Sequence, residues 1–207
     1  MNRLKRLWVL TTAAILLAMP VAAQDLHAKY NKEHPLIYVD AWDLWPYVFQ
    51  ENGKPMGYNI DLLTLIFKEL GIPYVVKLKP TKDALEDLRT GRSNLMFGTK
   101  DQYHDSYTQF YSKTVIQLFT HSVALPKNQT NPVHTLDDLA HNDVIVHAGA
   151  FSHHLMEDSG WVDNARPYND MDLAVQKVSS EEQGIILWNT MSLKWLIRRY
   201  KTDNLKL

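Results

Sequence analysis

The spacing of apolar residues changes several times along this chain, and each change predicts a new element. Residues 36–40, which are apolar up to Asp40, predict a buried strand. Between positions 60 and 70, apolar residues recur every three or four positions, which is typical of an amphipathic helix. Asn59 is the predicted N-cap of this helix. Gly71 stands just past its end, where glycine is favoured.

The same alternation continues to the end of the chain. Thr81 is the predicted N-cap of a second helix, and residues 135–138 have the form of a capping box. Further strands are predicted at 74–79, 94–98, 114–125, 143–147 and 185–188, and further helices at 82–89, 173–178 and 189–200. Strands that alternate with helices indicate an α/β fold with mostly parallel sheets.

Residues 1–23 have the form of a secretory signal peptide. Three basic residues precede an apolar segment at 7–19, and small residues follow at 21–23. We therefore expect cleavage before Gln24 and export of the rest of the chain to the periplasm. The alternative is an uncleaved membrane anchor, although the apolar segment is short for a membrane span.

Composition and charge exclude several classes of protein. The chain has no cysteine, which excludes disulfides and a cysteine-linked lipid anchor. Removing residues 1–23 takes away three basic and no acidic residues, so the net charge falls from −1 to −4. A mildly acidic chain without a basic stripe is not expected to bind nucleic acid.

The histidines do not predict a metal site. His153 and His154 are adjacent, so on a helix their side chains point about 100° apart and cannot chelate one ion together. His147 has no acidic or cysteine partner at the spacing of a metal site. We therefore expect neither a metal nor another cofactor.

Residues 42–63 carry the most informative motif. An aromatic-Pro-aromatic sequence at 45–47 is followed by a glycine turn and then by Gly-Tyr-Asn-Ile-Asp at 57–61. This stretch resembles the opening of extracellular solute-binding protein family 3. The resemblance implies a two-lobed periplasmic-binding-protein (Venus flytrap) fold of the α/β class, with a ligand between the lobes.

The resemblance also implies a division of the chain. The first lobe and first crossover would occupy residues 24–127, and the second lobe would occupy 128–202. Residues 203–207 would begin a second crossover, so the fold is expected to be C-terminally incomplete.

Three positions that handle charge in amino-acid-binding members depart from the family pattern. The window 99–112, where an Arg would clamp the ligand carboxylate, contains no Arg and includes Thr99 and His104. A glycine followed by two threonines is replaced by Gly-Ala-Phe-Ser at 149–152, and a lobe-two Asp by Asn189. A bidentate Arg–carboxylate contact is strong and specific. We therefore expect a small-molecule ligand that is not an ordinary α-amino acid.

Aromatic residues stand where a cleft would need them. Tryptophan and tyrosine offer flat apolar faces with one polar tip, which suits a ring, a sugar face or a cation. The alternative is that Tyr47 and Trp188 belong to lobe cores, and that Asp61 only complements a helix dipole. The predicted ligand-binding residues are Trp42, Trp45, Tyr47, Asp61, Thr99, His104, Ala150, Phe151, Trp188 and Asn189.

These features predict a non-enzymatic, extracytoplasmic binding domain. It would serve either an ABC permease or a membrane-linked kinase module, and the missing clamps slightly favour the sensor form. The alternative class is an enzyme on the same scaffold, dehydratase-like, or the non-catalytic domain of a lytic transglycosylase. A dehydratase would need an acid or base in the cleft, for which the candidates are Asp61, His104 and Asp105.

Overall fold

The computed structural model describes residues 21–98, 110–131, 133–181 and 183–207. The strands are β1 (Leu36–Ala41), β2 (Asp43–Leu44), β3 (Val48–Glu51), β4 (Lys54–Met56), β5 (Tyr74–Lys79), β6 (His121–Pro126), β7 (Val144–His147), β8 (Ala165–Tyr168), β9 (Ile185–Asn189) and β10 (Leu205–Lys206). The α-helices are α1 (Val21–Lys29), α2 (Tyr58–Leu70), α3 (Thr81–Arg89), α4 (Phe151–Asp158), α5 (Met171–Glu181) and α6 (Thr190–Arg199). Two short 3₁₀ helices span Asp137–His141 and Val162–Asn164.

The first lobe is built on two parallel strands. β1 pairs with β5 in the register Leu36 to Tyr74. On its other side Tyr38 makes one isolated parallel bridge to Leu95, so the strand predicted at 94–98 is reduced to that contact. Helix α2 closes the core by burying Leu63 and Phe67 against the sheet.

Glycines hold both ends of α2. Gly71 is the left-handed C-cap, as the sequence predicts. The N-cap is Gly57 and not Asn59, because the chain enters the helix two residues earlier than its apolar pattern indicates. At Gly57, with φ 110°, a Cβ would lie 2.5 Å from the carbonyl oxygen of Tyr47, so a side chain would not fit. Asn59 is instead buried inside the first turn.

The second lobe contains a five-stranded sheet in the order β10-β6-β9-β7-β8. β7 runs parallel to both β8 and β9, whereas β6 and β10 are antiparallel to their neighbours. Alternate residues of β7 and β9 supply two cores: Val144 and Leu187 lie on one face, and Ile145 and Trp188 on the other.

The strand that links the lobes is shorter than the sequence predicts. Only β6 of the long run predicted at 114–125 is a strand, and it already belongs to the second sheet. Residues 110–120 lie outside strands because they have no ladder partner among the described residues. Only half of the predicted capping box forms: Asp138 Oδ2 accepts the N–H of Thr135 at 2.8 Å, but the 3₁₀ helix that follows has Leu136 as its N-cap without a side-chain cap bond. Thr81 is not the N-cap of α3, because Pro80 occupies that position.

A small hairpin sheet, β2–β3–β4, follows β1 and joins the lobes. It carries Trp45 and Phe49, which pack into the core of the second lobe.

Within the described ranges, no helix combines the length and the apolar character that a membrane crossing requires. The predicted signal sequence lies largely outside those ranges, and cleavage before Gln24 stays a prediction.

Candidate functional site

A cavity of about 320 Å³ lies between the two lobes. From the first lobe, Asp40 and Ala41 at the end of β1, Thr81 at the start of α3 and residues 95–98 form one wall. The second lobe contributes the end of β7, the start of α4 and the end of β9. The segment 110–121 lines a third side with Phe110, Tyr111, Ser112, Ile116, Phe119 and His121. The cavity therefore forms where strands end and helices begin, as is common for ligand sites in α/β folds.

Four of the ten predicted ligand-binding residues line this cavity: Ala150, Phe151, Trp188 and Asn189. Thr99 and His104 lie outside the described residues. The remaining four do not line it: Trp42, Trp45, Tyr47 and Asp61. The second-lobe predictions are thus brought together, and the first-loop predictions are not.

Trp45 requires a correction, because it does not face the cavity. It is 5% exposed and stacks on Phe49 at 3.5 Å and on Trp195 at 4.4 Å between ring centroids. The guanidinium of Arg199 lies 4.5 Å above the Trp45 ring and donates to Glu51 at 2.8 Å. Since Trp195 and Arg199 belong to α6, this stack joins the hairpin of the first lobe to the second lobe.

The other first-loop residues also have structural contacts. Trp42 is 37% exposed, and its indole N–H donates to the carbonyl of Asn169 at 3.3 Å, which is a second contact between the lobes. Tyr47 is half-buried and meets Phe119 edge-on at 5.0 Å. Asp61 is exposed in the first turn of α2, where an acid complements the helix dipole.

Asn189 and Trp188 both stabilise the second lobe and line the cavity. The side-chain oxygen of Asn189 accepts the N–H of Ser192 at 3.0 Å and so caps α6. Trp188 is buried in the core of the second lobe and meets His147 edge-on at 5.8 Å. The alternative interpretation of Trp188 as a core residue therefore holds alongside its place on the cavity wall.

Asp40 also lines the cavity, although it is not among the predicted ligand-binding residues. It is 1% exposed, and its carboxylate accepts hydrogen bonds from Ala41 N, Asn59 Nδ2 and the hydroxyl of Tyr38. Burial raises the pKa of Asp40 to about 6, although the three hydrogen bonds oppose that rise. A carboxyl inside an otherwise apolar strand was the available signal, since such a group is rarely buried without a role.

Asp43 forms a buried polar contact between the lobes. Its Oδ2 accepts the N–H of Met171 at 2.8 Å, and its Oδ1 lies 3.5 Å from Nε2 of His147. The same His147 nitrogen is hydrogen bonded to Thr81 Oγ1 at 3.0 Å. Burial raises the pKa of Asp43, and His147 opposes that rise. Burial lowers the pKa of His147, and Asp43 and Asp170 oppose that fall.

Comparison with known proteins gives this arrangement a family. The family model for bacterial extracellular solute-binding proteins, family 3, matches residues 37–199. The chain belongs to that family. The resemblance found in residues 42–63 is therefore confirmed, and the chain is a family 3 solute-binding domain.

Individual relatives of this solute-binding domain are distant. The probable amino-acid-binding protein YxeM of Bacillus subtilis (strain 168) is 20% identical over 133 residues, which cover 64% of this chain and 50% of YxeM. The chain therefore matches about half the length of that relative.

Two solved structures share the two-lobed fold. A histidine kinase sensor domain with similarity to periplasmic binding proteins aligns with a TM-score of 0.76 and 19% identity, over 87% of this chain and 77% of the other. The ancestral amino acid-binding protein AncCDT-1, a precursor of cyclohexadienyl dehydratase, aligns with a TM-score of 0.68 and 19% identity, over 82% and 76%. At these identities the structures establish the fold of this solute-binding domain, and not its ligand.

Proposed function

We propose that this domain binds a small organic solute in the cavity between its lobes and couples that binding to lobe closure. The observation that carries the proposal is the cavity itself, which has walls from both lobes and from the segment that joins them. A ligand held by both lobes stabilises the closed arrangement by its differential affinity for it. Phe151, Trp188 and Asn189 are the proposed second-lobe contacts.

The proposed ligand is not an ordinary α-amino acid. No Arg or Lys occurs among the described residues that line the cavity, so a ligand carboxylate would have no cationic side chain there to pair with. The family's threonine pair is replaced by Ala150 and Phe151, which bring no hydroxyl to the site.

We further propose that the domain acts outside the cytoplasm, on a permease or on a membrane-linked kinase module. Support for the location comes from the family, whose members are extracellular solute-binding proteins, and from the form of residues 1–23. The choice between transport and signalling depends on the partner. Co-purification of the exported protein with its membrane partner would decide it.

An enzymatic function is the alternative. Of the three acid–base candidates named from the sequence, Asp61 is exposed on α2 and does not line the cavity, and His104 and Asp105 lie outside the described residues. Asp40, His121 and His147 do line the cavity and could act as acid or base there. A dehydratase activity would be detected as turnover of a bound ligand during long incubation at stoichiometric concentrations.

A thermal-shift screen of the whole chain against metabolites tests the proposal. A ligand present at about 100 times its Kd adds about 2.7 kcal/mol to the free energy of unfolding. Phe151→Ala should abolish the shift, because the ring lies at the cavity, whereas Leu173→Ala on the exposed face of α5 should retain it. A ligand shift that survives Phe151→Ala undiminished would move the site away from the cavity.

A further inference from the structure

Among the described residues, the cavity wall has one carboxylate and no lysine or arginine. Of the described residues that line it, Asp40 carries the only carboxyl, and none is Lys or Arg. Asp40 also forms no ion pair with a described cationic side chain. Buried carboxylates in proteins are normally paired with a positive group, because removing a charge from water is costly. Within the described part of the chain, this carboxylate therefore has no positively charged partner.

Three other polar groups on the cavity wall already have partners. Thr81 is hydrogen bonded to His147, the Asn189 oxygen caps α6, and Ser112 donates to the carbonyl of Thr114. On Asp40, Oδ1 accepts one hydrogen bond, from Ala41 N, and a carboxylate oxygen has room for a second. Asp40 thus has a carboxylate oxygen that can accept a hydrogen bond from a ligand.

The rest of the wall is aromatic and aliphatic. Phe97, Phe119 and Phe151 face the cavity, and the His121 ring lies 5.0 Å from that of Phe151. Aromatic rings favour a flat apolar group and also attract a cation placed over their faces. At about 320 Å³ the cavity is at the lower end of the roughly 300–1,000 Å³ typical of ligand pockets, so the ligand is compact.

We infer that the ligand is a small organic cation, a primary amine carried on an aromatic body, with its ammonium donating to Asp40 and its ring between the phenylalanines. This inference rests on the proposed function and names the ligand class for the same cavity. A ligand carboxylate is disfavoured, because it would lie near Asp40 without a cationic side chain among the described lining residues.

Four probes that share one ring separate the possibilities: phenethylamine, phenylalanine, 3-phenylpropionate and 2-phenylethanol. Calorimetry with the whole chain should show phenethylamine binding at least tenfold more tightly than each of the others. Phenylalanine binding as tightly as the amine would overturn the inference, since it would show that the cavity accepts a carboxylate. Failure of phenethylamine, benzylamine and tryptamine alike would overturn it as well.

The pH dependence of amine binding gives a second measurement that needs no variant. With a pKa of about 6, Asp40 is largely protonated at pH 5 and largely ionised at pH 7.5, so amine affinity should rise about tenfold over that interval. His121 and His147 also face the cavity, and Tyr38 contacts Asp40, so these groups need a control. In Asp40→Asn the amine should lose at least tenfold in affinity and most of this pH dependence, while the neutral 2-phenylethanol should lose clearly less. An Asn variant that is folded and binds the amine normally would refute the role of Asp40.

The outcomes also separate this inference from the proposed function. If amines fail but the metabolite screen yields an acidic or neutral ligand that requires Phe151, the cavity is still the binding site and only the ligand class is wrong. If no compound produces a shift through Phe151, the proposed function itself fails.

Discussion

Asp43→Ala should open the unliganded protein, because Asp43 is the buried acceptor that crosses the lobe boundary. Its removal leaves the N–H of Met171 buried without its 2.8 Å partner. An unsatisfied buried donor costs roughly 1–3 kcal/mol, and opening the lobes would let this N–H bond to water instead. A bias of that size changes the ratio of open to closed molecules by roughly 5–150-fold.

Asp43→Asn is the matched control for that substitution. An asparagine keeps an oxygen for the N–H of Met171 and removes the buried charge, so this variant should remain closed. Burial raises the pKa of Asp43, so the closed state favours the protonated carboxyl. Asp43 therefore stabilises closure most at pH values below its ordinary pKa, and this stabilisation declines as the pH rises through the raised pKa. The Asn variant should therefore close at least as well as the parent protein at pH 8.

Small-angle scattering of the ligand-free proteins measures the effect. Asp43→Ala should increase the radius of gyration, whereas Asp43→Asn and the surface control Asp61→Ala should leave it unchanged. The reasoning fails if Asp43→Ala is folded, keeps the parent radius of gyration and melts at the parent temperature. That result would mean that the stack around Trp45 holds the lobes together without help from Asp43.

Three further substitutions test other contacts. Tyr38→Phe should lower the free energy of unfolding by about 1.5–3 kcal/mol at pH 8, where Asp40 is ionised, and by less at pH 4.5. Urea titrations that give equal losses at both pH values would contradict this. Gly57→Ala should cost clearly more than the roughly 1–2 kcal/mol of positive φ expected for Gly53→Ala, because only at Gly57 would the new Cβ clash; matching urea midpoints would argue against the clash. Trp45→Ala should lower the free energy of unfolding of the ligand-free protein by about 3–5 kcal/mol. An unchanged melting point would instead support the prediction that Trp45 lines the ligand cleft.

Local periodicity was sufficient to predict much of the fold. β1, α2 and β9 lie close to their predicted positions because each has a clear apolar face or an uninterrupted apolar run. Gly71 ends α2 because its backbone takes the left-handed conformation, which glycine adopts readily and which local sequence is enough to predict. Cap residues at the other helix ends were predicted less well, because the start of a helix depends on the loop that leads into it.

The candidate site was predicted only where its residues follow a strand directly. Phe151, Trp188 and Asn189 stand at ends of second-lobe elements, and they reach the cavity. Asp43 was missed because its partner Met171 is 128 positions away, and no local pattern reports such a contact. Trp45 was misplaced for a related reason, since its burial depends on a helix that appears 150 residues later, carrying Trp195.

The stacked indoles of Trp45 and Trp195 give this protein a native optical reporter. Their planes are inclined by 14° with centroids 4.4 Å apart, and the two rings belong to different lobes. Chromophores this close couple electronically, so the pair should contribute a near-ultraviolet circular dichroism signal that vanishes when the lobes separate. Trp42, which contacts Asn169 across the lobe boundary, and Trp188, which lines the cavity, will add to this change. Lobe motion can therefore be followed in real time with unlabelled protein, in a stopped-flow instrument, while a ligand is mixed in.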